Sequence, residues 1–228
     1  MQTPDFAQIN HPPLPARDLN FLFEHFPGQV DVGRAITEVG QFFNTLDSML
    51  DARYVYDALR DADTLDLPVS PQLWFEVMLR HALPGRRTRQ EQQALHYIAH
   101  LLALFGRAER LRRVQDGDDT AYDYLVDLVA EEQAVQDARR FVVQAHIANY
   151  ALFLGGVCAE WVQHRHRYAR RPVTVSYYAD MGASRFHMAS RHPLAQAYGL
   201  TAIYRELSLR FGYYREGLQK MAAEHLYH

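Results

Sequence analysis

Two histidines one helical turn apart have the spacing of metal ligands. His96 and His100 stand at positions i and i+4, so both imidazoles would lie on one helix face, within reach of one metal ion. The zinc metalloprotease motif also needs a glutamate directly after the first histidine, but Tyr97 stands there. A di-iron bundle needs Glu-x-x-His on two helices, which the sequence lacks. We therefore predict no metal site and no cofactor, with a two-histidine site as the alternative.

A second group of polar side chains lies inside the longest apolar stretch of the chain, residues 141–161. His146 and Asn149 share a helical face there, and Tyr150 lies beside them. A buried polar group without a partner costs about 1–3 kcal/mol, so these side chains must find partners. The pattern predicts either a polar network that holds helices in register or a ligand pocket. His146, Asn149 and Tyr150 are accordingly the candidate ligand-binding residues.

No combination of residues identifies a catalytic centre, so the catalytic residues are unknown. The sequence contains no nucleophile elbow, no P-loop and no glycine-rich dinucleotide motif after a strand. Tyr177-Tyr178, Met181-Gly182 and Arg185 could line a cleft, or could pack inside the fold with Gly182 allowing close helix approach. The single cysteine, Cys158, excludes an intramolecular disulfide and is typical of a reducing compartment.

Basic side chains cluster in two places along a chain whose net charge is −3. The clusters are Arg165, Arg167, Arg170 and Arg171 with His164, His166 and Tyr168, and separately Arg110, Arg112 and Arg113. Basic residues interleaved with an aromatic can bind phosphate backbones. Acidic residues within 57–66 and 116–132 can pair with these arginines instead, so nucleic acid is not the predicted partner.

The stretch 141–161 indicates a helix that is apolar on almost every face, which must be wrapped by protein or lipid. Its strongly apolar residues favour membrane insertion by only about 2–5 kcal/mol, and three internal polar residues offset much of that. We predict a central core helix with a kink at Gly155-Gly156, and no membrane span. Without a signal peptide pattern, the predicted location is cytoplasmic.

The other segments also follow the helical period, which predicts an all-α fold. We expect an extended, proline-rich arm over residues 1–17 and a single domain of about eight helices over residues 18–228. Ser70-Pro71 marks one helix start, and Thr88 with Glu91 forms a capping box for a helix to about Val114. A last helix from Pro193 carries a heptad seam, either facing the core or pairing with a second subunit: Leu200, Tyr204, Leu207, Phe211, Tyr214, Leu218 and Met221.

Three segments together resemble a family of uncharacterised bacterial all-helical proteins. They are ARRFVVQAHIANYALFLGG, then RPVTVSYYADMGASRFHMAS, and a final helix that carries LRF and ends in AAEHLYH. In that family an N-Y-x-L-F-x-x-G segment precedes a Y-Y-x-x-M/L-G segment. The resemblance covers roughly residues 90–228 and implies a helical fold, with no assigned activity and no catalytic residues.

Two functions are consistent with these patterns. The first is a non-enzymatic helical interaction or scaffold module that forms a homodimer or binds a protein partner, which the heptad seam and the proline-rich arm favour. The alternative is a small-molecule-binding protein, or an enzyme of unknown class, with a pocket at the central helix around His146 and Asn149.

Overall fold

The computed structural model describes residues 3–9, 14–25, 39–60, 68–168 and 175–227. Within these ranges the chain has no strands and forms a single compact arrangement of thirteen α-helices. The prediction of an all-α fold is therefore confirmed, whereas the expected number of about eight helices is too low.

The helices are numbered here in chain order. They are α1 (Ala16–His25), α2 (Val39–Leu50), α3 (Arg53–Arg60), α4 (Pro71–Ala82), α5 (Arg89–Phe105), α6 (Ala108–Arg112), α7 (Leu125–Ala134), α8 (Asp137–Gly156), α9 (Ala159–Tyr168), α10 (Val175–Ser190), α11 (Pro193–Ala197), α12 (Thr201–Leu209) and α13 (Phe211–His225). A short 3₁₀ helix (Asp5–Ala7) precedes them. The expectation of an extended chain is therefore wrong for this part of the arm.

Local start signals in the sequence form as predicted. The Ser70 hydroxyl accepts a hydrogen bond from the Leu73 amide at 3.2 Å, and Pro71 follows at the first helical position of α4. Thr88 and Glu91 exchange both bonds of a capping box at the start of α5. These bonds satisfy amide groups that the first turn of a helix leaves unpaired, which fixes where each helix begins.

Two predicted long helices are broken, which accounts for part of the difference in helix number. The helix expected from Thr88 to Val114 ends at Phe105, and α6 starts after Gly106. The helix expected from Pro193 is divided into α11, α12 and α13. Gly199, with a φ of +70°, separates the first two, because a left-handed residue cannot continue a helix.

The heptad seam begins after the first of these breaks, spans the second one at Arg210, and still faces the protein interior. Every residue of the seam is at most 3% exposed: Leu200, Tyr204, Leu207, Phe211, Tyr214, Leu218 and Met221. The seam therefore packs against helices of the same chain, and its seven side chains are not available to a second subunit.

Helix α8 contains most of the long apolar stretch and is buried along most of its length. From Phe141 to Gly156, Phe153 alone is not fully buried. The helix packs against α7, α9, α10 and α13. It ends at Gly156 and α9 begins at Ala159, so the chain breaks where the glycine pair predicts a kink. Among the described helices, none combines the length and the apolarity that crossing a membrane requires.

A close approach between α8 and α13 depends on Gly156. A Cβ atom at this position would lie 2.6 Å from the Cβ of Leu218, an atom that no rotamer change can move away. We expect Gly156→Ala to lower the free energy of unfolding by about 1–3 kcal/mol, because the two helices must separate. Urea unfolding of the purified variant measures this loss.

Gly212, in α13, provides the matched control for this substitution. A Cβ atom there would meet nothing within 4 Å. Gly212→Ala should therefore be neutral or raise the free energy of unfolding by up to about 1 kcal/mol, because alanine restricts the unfolded chain more than glycine. Similar losses in the two variants would contradict the close approach at Gly156.

Candidate functional site

The two histidines with metal-ligand spacing lie on one face of α5 and hold the N-terminal segment. His96 Nε2 lies 3.2 Å from the carbonyl oxygen of Ile9, and His100 Nε2 lies 2.9 Å from that of Asp5. One nitrogen of each ring is therefore occupied by backbone. No group of three or more side chains suited to a metal ion occurs in the part of the chain that the structure describes. The pair acts as a clasp for the arm.

Arg110 completes this arm clasp, which we define as His96, His100 and Arg110. The Arg110 side chain is 6% exposed and binds both carboxylate oxygens of Asp5, one of them at 2.7 Å. Phe6, which follows Asp5, is fully buried, and its ring centroid lies 6.4 Å from that of Phe141. The arm is thus bound both by charge and by an apolar anchor.

The second basic cluster is consequently not an open positive surface. Arg110 is occupied by Asp5, Arg112 lies 2.6 Å from Asp123, and Arg113 lies 3.4 Å from Glu109. In the first cluster, the side chains of residues 165–171 lie outside the described residues. The expected pairing with acidic residues of 116–132 forms at Arg112 alone, through Asp123, whereas Asp5 and Glu109 lie outside the predicted acidic segments.

A buried ionic network continues from the arm clasp. Glu76 is 1% exposed and lies 2.7 Å from His96 Nδ1, while Arg80 donates to its other oxygen at 2.9 and 3.2 Å. Burial alone would raise the pKa of Glu76, but the charges of His96 and Arg80 outweigh it and lower the pKa to about 2. In turn, Glu76 raises the pKa of His96 to about 9. His96 is therefore protonated at neutral pH, and a protonated imidazole cannot bind a metal.

Arg80 extends the network to a third helix. Its guanidinium lies 2.7 Å from Asp47 at the end of α2 and 3.5 Å from Asp51, which Arg87 also contacts at 2.6 Å. These contacts hold α2, α4 and α5 together.

Asn149 belongs to a buried polar network, one of the two predicted alternatives. Its side-chain oxygen accepts a hydrogen bond from the Tyr97 hydroxyl at 2.9 Å, and that hydroxyl lies 3.2 Å from the hydroxyl of Tyr204. The three residues come from α8, α5 and α12, and each is at most 1% exposed. The network therefore fixes the relative register of three helices.

His146 lies in a separate, aromatic environment. Its ring packs edge-on to Phe105 at 5.8 Å and stacks with Tyr150 at 6.1 Å between centroids. The imidazole is 1% exposed, and neither ring nitrogen has a hydrogen-bond partner among the described residues. Burial, together with the charges of Arg110 and Arg139, lowers its pKa to about 3.

The structure thus does not group the three candidate residues into one site. Asn149 joins the tyrosine network, whereas the His146 ring contacts Phe105 and Tyr150. All three are closed to solvent, and their role in ligand binding stays a prediction.

No family model matches this chain, and neither a curated protein nor a solved structure matches it. The resemblance over residues 90–228 therefore stays a prediction, and a functional site has to be argued from its own geometry.

A small open cleft of about 170 Å³ lies where α7, α8 and α10 meet. It is lined by Glu132, Gln133, Arg140, Gln144, Arg185 and Met188. Glu132 is 6% exposed; Gln144 donates to one carboxylate oxygen at 3.0 Å, and Arg185 Nε donates to the other at 2.8 Å. Arg140 Nε donates to the backbone carbonyl of Glu132 at 3.2 Å. A single residue, Glu132, therefore anchors both arginines.

Both arginines use only their Nε atoms for this anchoring. Among the described residues, the terminal nitrogens of Arg140 and Arg185 have no hydrogen-bond or ion-pair partner. Those nitrogens form the two-pronged edge of a guanidinium that matches two anionic oxygens. The cleft can thus offer two such edges to one ligand.

The sequence contained part of this site. Arg185 was a cleft candidate, but its expected neighbours were Tyr177 and Tyr178, which do not line this cleft. Gly182 instead allows close packing, since a Cβ there would lie 3.1 Å from the Ala151 Cβ and would overlap Phe211. For the rest of the cleft, the available signal was the i, i+4 spacing of Arg140 and Gln144, which places both side chains on one face of α8.

Proposed function

We propose that the protein binds a small molecule through an anionic group, in the cleft formed by α7, α8 and α10. The observation that carries the proposal is the pair of arginines held at Nε by Glu132 with their terminal nitrogens unpartnered. This is a form of the small-molecule hypothesis, with the pocket beside helix α8 but on residues other than His146, Asn149 and Tyr150.

Charge and preorganisation both support an anionic ligand. Arg140 and Arg185 contribute two positive charges against the one negative charge of Glu132, so the three ionic side chains of the cleft carry a net charge of +1. Because the Nε bonds already restrict both side chains, less conformational entropy is lost when a ligand binds. Glu132 and Gln144 are buried, so the anchor itself is shielded from solvent.

The interaction-module hypothesis has less support from the described residues. Its two sequence features, the heptad seam and the proline-rich arm, are both used within the chain: the seam in the core and residues 5–9 at the arm clasp. A homodimer or a protein partner would need another surface, and self-association stays a prediction that sedimentation can measure.

The test of ligand binding compares single-arginine variants at constant ionic strength. We expect at least one of acetate, phosphate and sulfate to bind wild-type protein with a dissociation constant on the order of 1 mM in calorimetry. Arg185→Met should weaken that binding at least about tenfold, the equivalent of one charge-assisted contact. Arg205→Met, at an exposed position in α12, is the matched control and should leave binding unchanged.

Two results would reject the proposed function. One is the absence of binding by all three anions, and the other is equal binding by wild-type protein and the Arg185→Met variant. Circular dichroism of each variant establishes that the helical fold is retained.

A further inference from the structure

Building on the proposed function, we infer that the cleft selects a tetrahedral oxyanion, the phosphate group of a phosphorylated small molecule, over a carboxylate. The inference rests on how many donors the cleft presents, how they are arranged and how much room they enclose.

The donors come from two helices and are held by different groups of Glu132. Arg140 lies on α8 and is anchored by the backbone carbonyl of Glu132, whereas Arg185 lies on α10 and is anchored by the Glu132 carboxylate. Each leaves one two-pronged edge, so the cleft offers two edges, one on a side chain of α8 and one on a side chain of α10. The amides of Gln133 and Gln144 also line it.

The geometry of the anion decides which group can use both edges. A carboxylate has two oxygens in one plane, which satisfy one guanidinium edge and leave the second without a matched pair. The terminal oxygens of a phosphate point in different directions, so one pair can face Arg140 while another pair faces Arg185. Phosphate therefore gains bidentate contacts that a carboxylate lacks.

The space and the surroundings fit a phosphate carried on a larger molecule. A volume of about 170 Å³ accommodates a group of phosphate size together with a few further atoms. Met188 is 43% exposed at the cleft and so presents an apolar surface beside the two arginines. The organic part of the ligand would pack on Met188 as it leaves the cleft.

The deciding experiment is a calorimetric comparison of matched anions at pH 7.5 and constant ionic strength. The pairs are inorganic phosphate against acetate, and phenyl phosphate against benzoate. We expect each phosphate compound to bind wild-type protein about tenfold more tightly than its carboxylate counterpart. Met188→Ala should weaken the binding of phenyl phosphate about threefold and leave the binding of inorganic phosphate unchanged.

Arginine-to-lysine variants test the two-edge arrangement separately from charge. Arg140→Lys and Arg185→Lys each keep a positive charge but lose the paired donors. Each substitution should weaken phosphate binding about tenfold and change acetate binding less than threefold. If one of the two variants does not fold, the other is sufficient for the test.

The outcomes separate this inference from the proposed function. If the carboxylates bind as tightly as the phosphates, the cleft is an anion site but the selection for phosphate is wrong. If the lysine variants bind phosphate as tightly as wild type, the two-edge arrangement is wrong. If none of the four compounds binds, the inference fails, and if sulfate does not bind either, the proposed function also fails.

Discussion

The Arg80→Met variant should lose about 3–5 kcal/mol of unfolding free energy, the loss typical of breaking a buried ion pair from one side. The Arg80 side chain is 2% exposed and lies between Glu76 and Asp47. Its removal leaves the Glu76 carboxylate, which is 1% exposed, with His96 as its one remaining charged partner in the network. Urea unfolding with linear extrapolation measures the loss.

Arg53→Met is the control for removing an arginine. Its side chain is 73% exposed and lies 3.4 Å from Asp57 in the next helical turn, so its loss should cost at most about 0.5 kcal/mol. Adding Glu76→Gln to Arg80→Met should recover part of the lost stability, because the buried carboxylate that lost its arginine partner is then neutral. A difference below about 1 kcal/mol between the two arginine variants would show that burial does not determine the strength of this network.

The second large effect is expected from His146→Leu in acid. In the folded protein the pKa of His146 is lowered to about 3, while the unfolded chain takes up the proton near 6.5. As pH falls below 6.5, protonation therefore stabilises the unfolded state alone, by about 1.4 kcal/mol for each pH unit. At pH 4 this imidazole should lower the free energy of unfolding of wild-type protein by about 3 kcal/mol. The leucine variant should not show this loss.

The measurement is urea unfolding at pH 7 and pH 4 for wild type, His146→Leu and a control, His187→Leu, at an exposed position in α10. At pH 7 the His146→Leu variant should be as stable as wild type or slightly more stable, because two buried nitrogens without partners are removed. If wild type and His146→Leu lose the same free energy between the two pH values, the imidazole is accessible to protons in the folded state.

Local features of this fold could be predicted from sequence, because they depend on residues close in the chain. Ser70, and Thr88 with Glu91, form their caps within three residues, so the start of each helix was visible. The heptad pattern predicted a continuous buried seam but not the breaks after Ala197 and at Arg210. Short helices can continue one apolar face, so side-chain periodicity does not reveal where the backbone turns.

Contacts between distant segments could not be predicted in this way. The shared face of His96 and His100 followed from their spacing, but the carbonyl groups that they bind belong to residues 87 and 95 positions earlier. The cleft was missed for the same reason. Glu132 lies in a polar stretch that would ordinarily be exposed, and its burial depends on how three helices meet.

The docking of residues 5–9 also constrains the order in which the protein can fold during its synthesis. Asp5 leaves the ribosome 105 residues before Arg110, which at about 5–20 residues per second is a delay of about 5–20 seconds. During that delay Phe6 has no binding site, since Phe141 is made later still. Residues 5–9 therefore become ordered only after much later segments are made, and until then the nascent chain carries an unprotected aromatic side chain that chaperones can bind.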